Sequence, residues 1–403
     1  MTQPHPLPDA DLPPFTGGRR FLLGSAIAGG AGLLLTIVGM LFSPRTALLA
    51  YLVAYVYWLG IAIGAFTMVV AHHTAGARWN VTIRRINESA GAVIPLFVLL
   101  FIPLLLGARH VWFWVAPAEP LSTEVRELLE HKHAYLNLGS FTIRAVIYFV
   151  VWSLFAWLLR AWSVRQDETG DPALTVRMRR WSAPGMVIFV FTFTFAAFDW
   201  LMSLQPTWYS TIYGLYVYSG SFVASMAALC LVITGIRSSD LPLARVISAD
   251  HQHNAGKLLF AFICFWAYMS FSQYMLIWAG NLPEEVQWIV IRNQGVWRPV
   301  GILILIGHFV LPFFVLLSRD VKRSPPALAA VAAWMLVMHY VDFYWAVMPA
   351  SDATRLGLHW THLTAFVGIG GISVAGALLL FRAARPLPVR DPFLEDSLRY
   401  VQP

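Results

Sequence analysis

The stretch ALLAYLVAYVYWLGIAIGAFTMVVA, residues 47–71, contains no charged side chain. An α-helix needs about 20 apolar residues to cross the hydrocarbon core of a bilayer, so this stretch is long enough. In hydrocarbon every backbone N–H and C=O group must be paired inside the protein, which makes a spanning segment of this kind helical. Residues 47–71 therefore predict a transmembrane helix in an integral membrane protein.

Apolar stretches of similar length fill almost the whole chain. The ten predicted spans cover residues 20–43, 47–71, 88–107, 140–162, 183–204, 212–235, 256–279, 296–318, 326–348 and 359–382. Only 12% of the residues are charged, whereas soluble domains have about 25%. We expect an all-α integral membrane fold with ten transmembrane helices, in which spans 2–5 and 6–9 form two four-helix bundles flanked by spans 1 and 10.

The polar ends of the chain predict two tails around this membrane domain. Residues 1–19 are rich in proline and lack the short apolar region and cleavage site of a signal peptide, so we expect an N-terminal tail. The ten-helix domain then covers residues 20–382, and a C-terminal tail covers residues 383–403. An even number of spans places both tails on the same side of the membrane.

The net charge of +7 is distributed unevenly over the predicted loops. Most of the 28 lysine and arginine residues lie on the side of the two termini: Arg19, Arg20, Arg78, Arg84, Arg85, Arg160, Arg165, Arg177, Arg179, Arg180, Arg237, Arg245, Lys257, Arg319, Lys322, Arg323, Arg382, Arg385, Arg390 and Arg399. Loops rich in lysine and arginine stay in the cytoplasm, which predicts two cytoplasmic termini. Because the positive charge has this topological role, we expect no nucleic-acid partner.

The sequence lacks the motifs of a self-contained catalytic centre. It has no Walker A motif, no nucleophile elbow and no Cys/His metal cluster. Its two cysteines, Cys230 and Cys264, both lie within spans and are too few to hold an iron–sulfur cluster. We therefore expect neither a catalytic residue nor a metal ion in this chain, and both cysteines to be small buried hydrophobic residues.

Charged side chains inside the spans are the first candidates for function, because a charge is costly to place in lipid. Arg144 in span 4 and Asp199 in span 5 lie at similar depths in the external half of the membrane. We expect each to face protein, and the two to pair or to share a polar cavity. A purely structural ion pair is an equally good interpretation.

A second group of ionisable residues lies near the middle of the membrane. His339 and Asp342 in span 9 share one helix face because they are three residues apart. His308 in span 8 falls at about the depth of His339. The two histidines could relay protons, bind a haem axially, or only form hydrogen bonds within the protein.

Polar residues at other depths extend these two groups into a hypothetical proton path. Glu88, at the cytoplasmic start of span 3, is a candidate for proton uptake, although an interfacial salt bridge is the simpler interpretation. The complete predicted path consists of Asp199, Arg144, His308, His339, Asp342 and Glu88, with Ser272, Gln273 and Tyr344 as hydrogen-bonding links.

Two histidines, His131 and His133, lie in an external loop before span 4. Together with Asp199 they could accept protons from a quinol bound on the external side. The alternative is that both are ordinary solvated histidines. No third ligand at a suitable spacing accompanies them, so they do not predict a metal site.

Several motifs in the second half of the chain resemble one family of membrane proteins. They are DWLMSLQPTWYSTIYG at 199–214, FSQYMLIW at 271–278, NLPEE at 281–285, HFVLPF at 308–313, LLSR at 316–319, HYVDFYWAVMP at 339–349 and RDPFLEDS at 390–397. Together they resemble the NrfD-like proteins, the polysulfide reductase membrane subunits, of alternative complex III. The resemblance covers most of residues 180–400, and within that complex the chain looks most like the F-type subunit.

The resemblance implies a part in electron transport in a bacterial inner membrane, in a respiratory or photosynthetic chain. Alternative complex III is a quinol:electron-acceptor oxidoreductase in which an iron–sulfur protein and c-type cytochromes carry the electrons. The implied partners are these subunits, the sibling NrfD-like subunit and lipids, with haem and iron–sulfur clusters held by the partner subunits. The F-type subunit is thought to contribute a proton path. We expect this chain itself to bind no cofactor, and a bound menaquinone or ubiquinone is the alternative.

Four functional hypotheses follow. The first is an integral subunit that carries protons, and the second is a subunit that binds quinol on the external side through Asp199, His131 or His133. The third is a structural scaffold without a site of its own. The fourth is a stand-alone transporter, which the absence of paired, broken helices at matching positions disfavours.

Overall fold

The computed structural model describes residues 12–117 and 120–402 of the chain. Over these residues the protein is all-helical, without a β-strand. Ten of its helical segments are long and apolar enough to cross a membrane, which indicates a multi-pass membrane protein. The predicted all-α membrane class and the number of spans are confirmed.

The ten spans run Arg19–Phe42, Pro44–Ala75, Val81–Leu106, Leu138–Thr169, Pro172–Leu204, Tyr213–Arg237, Ala249–Gly280, Trp297–Leu317, Pro325–Ala350 and Thr361–Arg382. Several begin or end well outside the predicted limits. Span 7, for example, starts seven residues earlier than hydropathy suggests, at Ala249, because Ser248 caps its first turn by accepting hydrogen bonds from the backbone N–H groups of Asp250 and His251. Hydropathy detects only the apolar part of such a helix.

The ends of the longest spans have clear local causes. Span 2 begins with Pro44, whose missing N–H is harmless in a first turn, and it ends at Gly76 with a φ of 63°. Span 4 begins after Asn137, whose side chain accepts a hydrogen bond from the Ser140 N–H, and it ends at Gly170 with a φ of 67°. Glycine adopts this left-handed conformation without steric penalty.

Span 2 lies at the centre of the molecule and is buried along almost its whole length. It contacts spans 1, 3, 5, 6, 9 and 10. Span 4 packs on span 5, and span 5 packs on spans 2 and 6. Span 6 packs on spans 7 and 9, and span 8 contacts both of these. Spans 2 and 6, which contact each other, therefore link the helices before and after the middle of the chain.

Spans 1 and 10 pack closely against each other. A Cβ atom built at Gly32 would lie 2.6 Å from the backbone nitrogen of Gly368, and one at Gly29 would lie 2.6 Å from that of Ile372. Small residues allow helix backbones in membranes to approach in this way, and the gain is van der Waals packing. Any larger residue at either position would push the two spans apart.

The two ends of the described chain lie on one face of the molecule, here called the termini face. The Arg382 guanidinium donates a hydrogen bond to the backbone oxygen of Thr16 at 3.2 Å. The segment expected to be a C-terminal tail is packed against the helix ends on this face, since Leu387 and Leu394 are buried. The Ser397 hydroxyl donates to the Trp79 carbonyl at 2.7 Å, which ties the segment to the start of span 3.

Candidate functional site

A buried polar cluster occupies the space between spans 6, 7, 8 and 9. Its members, here called the central cluster, are Tyr216, Trp266, His308, His339 and Asp342. The His339 Nδ1 atom lies 4.0 Å from an oxygen of Asp342, and the His308 and His339 rings are centred 5.8 Å apart. All five side chains are buried, so the structure brings together the two histidines and the aspartate that the sequence placed near the membrane centre.

Two neutral donors hold the Asp342 carboxyl group. The Tyr216 hydroxyl donates to one oxygen, and the Trp266 indole N–H donates to the other at 3.2 Å. The Trp266 ring also lies against the His308 ring, with centroids 3.9 Å apart. No arginine or lysine pairs with this carboxyl group among the described residues, so its charge state is not set by a fixed positive neighbour.

The imidazoles of the central cluster have free hydrogen-bonding capacity. None of the four ring nitrogens of His308 and His339 has a hydrogen-bond partner among the described residues. Buried polar atoms are almost always paired, and exceptions often mark function or a small bound molecule. These nitrogens are therefore available to accept or donate protons.

Backbone geometry brings His308 and His339 to this position. Residues 305–310 form a π-helical turn, and Pro312, which has no N–H, follows His308 by four residues. The His308 carbonyl therefore cannot accept the usual helical hydrogen bond, and a wider turn accommodates the gap. On the facing span, Gly220 lets His339 approach, because a Cβ atom there would lie 2.6 Å from the imidazole Cε1.

A second set of buried polar side chains leads from the central cluster towards the face opposite the termini. The Tyr213 ring lies 5.8 Å from that of Tyr216. Beyond it, the Arg292 guanidinium donates to the backbone oxygens of Trp345 at 3.1 Å and Ala346 at 2.7 Å and stacks on Trp288 at 3.8 Å.

Arg292 is held by carbonyl oxygens and aromatic rings rather than by a carboxylate. Burial lowers the pKa of its guanidinium, but the group stays charged near neutrality because an arginine pKa starts above about 12. Sequence reasoning missed Arg292 as well as Trp266. Arg292 lies outside the predicted spans, at the end of the short helix Pro283–Arg292, and tryptophans are common in membrane helices, so neither residue stood out.

The Arg144–Asp199 pair forms as expected, near the face opposite the termini. Two guanidinium nitrogens donate to the two carboxylate oxygens at 2.9 and 2.8 Å, and the Tyr148 hydroxyl adds a third donor at 2.8 Å. The ring of Tyr135 lies under the guanidinium at 3.7 Å. Burial, and then the nearby Asp199 charge, raise the pKa of the Tyr135 hydroxyl. These three donors hold the Asp199 carboxylate in one position against span 4.

Glu88 lies in a buried ion-pair network at the termini face, which is more extensive than the interfacial salt bridge considered above. Its carboxylate accepts from Arg84 at 3.0 Å, from Arg85 at 2.8 Å and from the Ser163 hydroxyl at 2.8 Å. The network continues from Arg84 to Asp391 of the C-terminal segment and from Arg85 to Asp167.

Aromatic rings fill the space between Glu88 and Asp199. The Phe189 ring lies 4.8 Å from that of Phe66 and 6.0 Å from that of Phe155. Closer to Asp199, the rings of Trp152 and Phe193 are 6.2 Å apart. The two ion-pair sites of spans 2–5 are thus separated by an aromatic core, which the scaffold hypothesis predicts for this half of the protein.

The structure shows no hydrogen bond from the remaining candidate residues to the central cluster or to the two ion-pair sites. His131 and His133 are exposed, and Ser272 is half-buried on span 7. Gln273 Oε1 and the Tyr344 hydroxyl are buried without a hydrogen-bond partner among the described residues. These five residues stay sequence-based candidates.

His308, His339 and Asp342 could also be considered as metal ligands. Their ligand atoms lie within 4.8 Å of one another. Both Asp342 oxygens already accept hydrogen bonds, from Tyr216 and Trp266. A metal ion would compete with these donors for the carboxylate, so we favour proton exchange over metal binding at this cluster.

The comparison with protein-family models found no match to this chain, and no curated protein matches it. Function must therefore be inferred from the geometry of the clusters and from the motifs in the second half of the chain. Those motifs include three members of the central cluster, since HFVLPF contains His308 and HYVDFYWAVMP contains His339 and Asp342.

Proposed function

We propose that this chain is an integral subunit of a quinol-oxidising electron-transfer complex, an F-type NrfD-like subunit of alternative complex III, and that it carries protons through spans 6–9. The observation that carries the proton role is the central cluster. A carboxyl group and two imidazoles lie together inside the membrane domain, and the imidazole nitrogens are unpaired. Intramembrane ionisable residues in such an arrangement typically serve proton or ion movement.

The roles of the cluster residues follow from their contacts. His308 and His339 are the proposed proton acceptors and donors, because a neutral imidazole has one nitrogen that accepts and one that donates, and none of these ring nitrogens has a partner among the described residues. Asp342 is the acidic group, and Tyr216 and Trp266 orient it while leaving it without a fixed counter-charge. A group without a fixed counter-charge can change its protonation state at a smaller energetic cost than one in an ion pair.

The connection to the face opposite the termini runs through Tyr213 and Arg292. Tyr213 lies next to Tyr216, and Arg292 places a buried positive charge beyond it. A fixed positive charge at this end repels other cations. Protons can still be passed between neutral hydroxyl groups. We therefore assign Tyr213 and Tyr216 to the outer part of the path.

The proposal extends to topology and partners. The contacts of spans 2–5 with one another and of spans 6–9 with one another support two four-helix bundles, with spans 1 and 10 at the side of span 2. The lysine and arginine distribution supports cytoplasmic termini in a bacterial inner membrane. The sibling NrfD-like subunit, an iron–sulfur protein and c-type cytochromes are the proposed partners, with menaquinol or ubiquinol oxidised outside spans 6–9.

The test is a measurement of protons moved per electron by the intact complex in proteoliposomes driven by quinol. We expect Asp342→Asn to lower this ratio strongly and Tyr216→Phe to lower it less, with all subunits still assembled. Asp199→Asn serves as the comparison, because Asp199 belongs to an ion pair outside the proposed path.

The outcomes separate the alternatives. A normal ratio in Asp342→Asn contradicts the proton path and favours the scaffold hypothesis. A raised KM for quinol in Asp199→Asn, with a normal proton ratio, favours a quinol site near Asp199. Purification of the active protein without cytochrome or iron–sulfur subunits favours a stand-alone transporter.

A further inference from the structure

A large apolar cavity lies near the termini face, away from the central cluster. Its volume is about 620 Å³, within the range of about 300–1,000 Å³ that is common for ligand sites. Spans 1, 2, 3, 6 and 10 and the segment before span 1 form its walls. Phe21 of span 1 and Val232 of span 6 line the cavity and are exposed, so we infer that it is open at the surface between these two spans, where lipid would contact the protein.

The lining is suited to hydrocarbon. Trp58, Ile61, Val93 and Phe381 are among the side chains that face it, and most of the others are aliphatic or proline. A cavity with so few polar partners does not hold ordered water. Since it opens into the membrane, hydrocarbon chains can fill it from the bilayer.

Polar and positively charged groups lie at the end of the cavity near the termini face. The Ser89 hydroxyl, on the wall, accepts a hydrogen bond from Arg160 at 3.1 Å. Arg382 bonds to the backbone of Thr16, another wall residue. The Ser373 hydroxyl is buried, faces the cavity and has no hydrogen-bond partner among the described residues.

Two further arginines follow at the start of span 1. Arg19 and Arg20 are both exposed and stand in the chain between the wall residues Gly17 and Phe21. A hydrocarbon-lined cavity with a row of cations at one end complements an amphiphile with a negative head group. Basic pockets between transmembrane helices recognise anionic lipids by the same principle.

We propose that this cavity binds an acyl chain of an anionic phospholipid, whose phosphate contacts the arginines at the start of span 1 and the end of span 10. The site is separate from the proposed proton path and does not depend on it. The bound lipid also fills the space between spans 1 and 6, so it stabilises the position of span 1 and its partner span 10.

The experiment counts the lipids that remain with the purified full-length protein in its native complex, by extraction and mass spectrometry. Ala228→Leu and Ala377→Leu place a larger side chain in the cavity. Ala28→Leu, on the exposed surface of span 1, is the matched control. We expect wild type and the control to retain an anionic phospholipid, and the cavity variants to retain about tenfold less, the loss expected when about two methylene groups leave apolar contact.

The head-group requirement is tested without altering the cavity. The delipidated protein is offered phosphatidylglycerol or phosphatidylcholine with the same acyl chains. We expect wild type to prefer phosphatidylglycerol, and a variant with Arg19→Gln and Arg20→Gln to lose that preference while still folding.

Three results would overturn the proposal. These are equal retention of both phospholipids by wild type, equal retention in the cavity variants and the Ala28→Leu control, and recovery of a quinone in place of a phospholipid. The last result would assign the cavity to an isoprenoid chain instead.

Discussion

Buried carboxyl groups have different partners in spans 2–5 and in spans 6–9. In spans 2–5 the carboxylates of Glu88 and Asp199 are paired with arginines near the two ends of the helices, and aromatic rings lie between them. In spans 6–9 the carboxyl group of Asp342 accepts from two neutral donors, Tyr216 and Trp266, and lies next to two imidazoles that have no hydrogen-bond partner in the described part of the chain.

The difference separates structural charges from groups that can exchange protons. A carboxylate paired with arginine is a structural element, because loss of its charge would leave the guanidinium without its partner. A carboxyl group bonded to neutral donors has no such partner, so it changes charge at a lower cost. We therefore expect mutations in spans 2–5 to act on stability and mutations in the central cluster to act on proton movement.

The largest stability effect is expected for Glu88→Ala. The change leaves Arg84 and Arg85 without their shared partner in a buried network, and breaking such a pair typically costs about 3–5 kcal/mol. Thermal unfolding in detergent measures the loss. Glu395→Ala is the control, because its pair with Arg399 is exposed and such pairs contribute about 0–1 kcal/mol. Equal effects of both changes would contradict the structural role of the Glu88 network.

A somewhat smaller effect is expected for Asp199→Leu, because the Arg144 side chain that it leaves unpaired is still 18% exposed to solvent. Adding Arg144→Met should restore much of the stability, since a buried ion pair can often be replaced by apolar side chains at little cost. Unfolding of the two single variants and the double variant forms a complete cycle. A stable double variant with a lowered proton ratio would show that this pair does more than hold spans 4 and 5 together.

Gly220→Ala probes the packing of the central cluster. The new methyl group would lie 2.6 Å from the His339 ring, and overpacking of this kind costs about 1–3 kcal/mol. Gly235→Ala in the same span is the matched control, because its methyl group would meet no atom within 4 Å. We expect only the first change to reduce the proton ratio, by moving His339. If both variants behave as wild type, the approach of span 9 to span 6 is not critical.

The smallest effect is expected for Ser272→Ala. Ser272 is half-buried on span 7, and the structure does not connect its hydroxyl to the central cluster. Substitutions away from the packed core usually change the free energy of unfolding by less than about 0.5 kcal/mol. We also expect an unchanged ratio of protons moved per electron. A clear drop in the ratio would extend the path to Ser272, as the sequence predicts.

The pairing of Arg144 with Asp199 could be predicted because depth in the membrane follows from position along a helix. Both residues are about one turn from the same end of adjacent spans, and neither charge can face lipid. The same counting placed His308 beside His339. It could not find Tyr216 as the donor to Asp342, because the other tyrosines of spans 6 and 7 were equally plausible from the sequence.

The C-terminal segment shows another limit of the sequence. Residues 383–403 are polar and rich in proline and charge, which predicts a tail. In the structure Asp391 pairs with Arg84, and Ser397 bonds to Trp79. These contacts join residues more than 300 positions apart, so no local sequence pattern predicts them.

Hydrophobic length and charge along the chain are sufficient to define ten membrane spans, their order and the residues that lipid cannot accept. They do so because the bilayer imposes one thickness and one polarity on every segment. The hydrogen-bond partners of Asp342, the aromatic core between Glu88 and Asp199 and the cavity beside span 1 depend instead on how the spans rotate and pack. The rotation and packing of the spans are set by contacts among side chains far apart in the chain. Small residues, a π-helical turn and the shapes of aromatic side chains determine which helix faces meet.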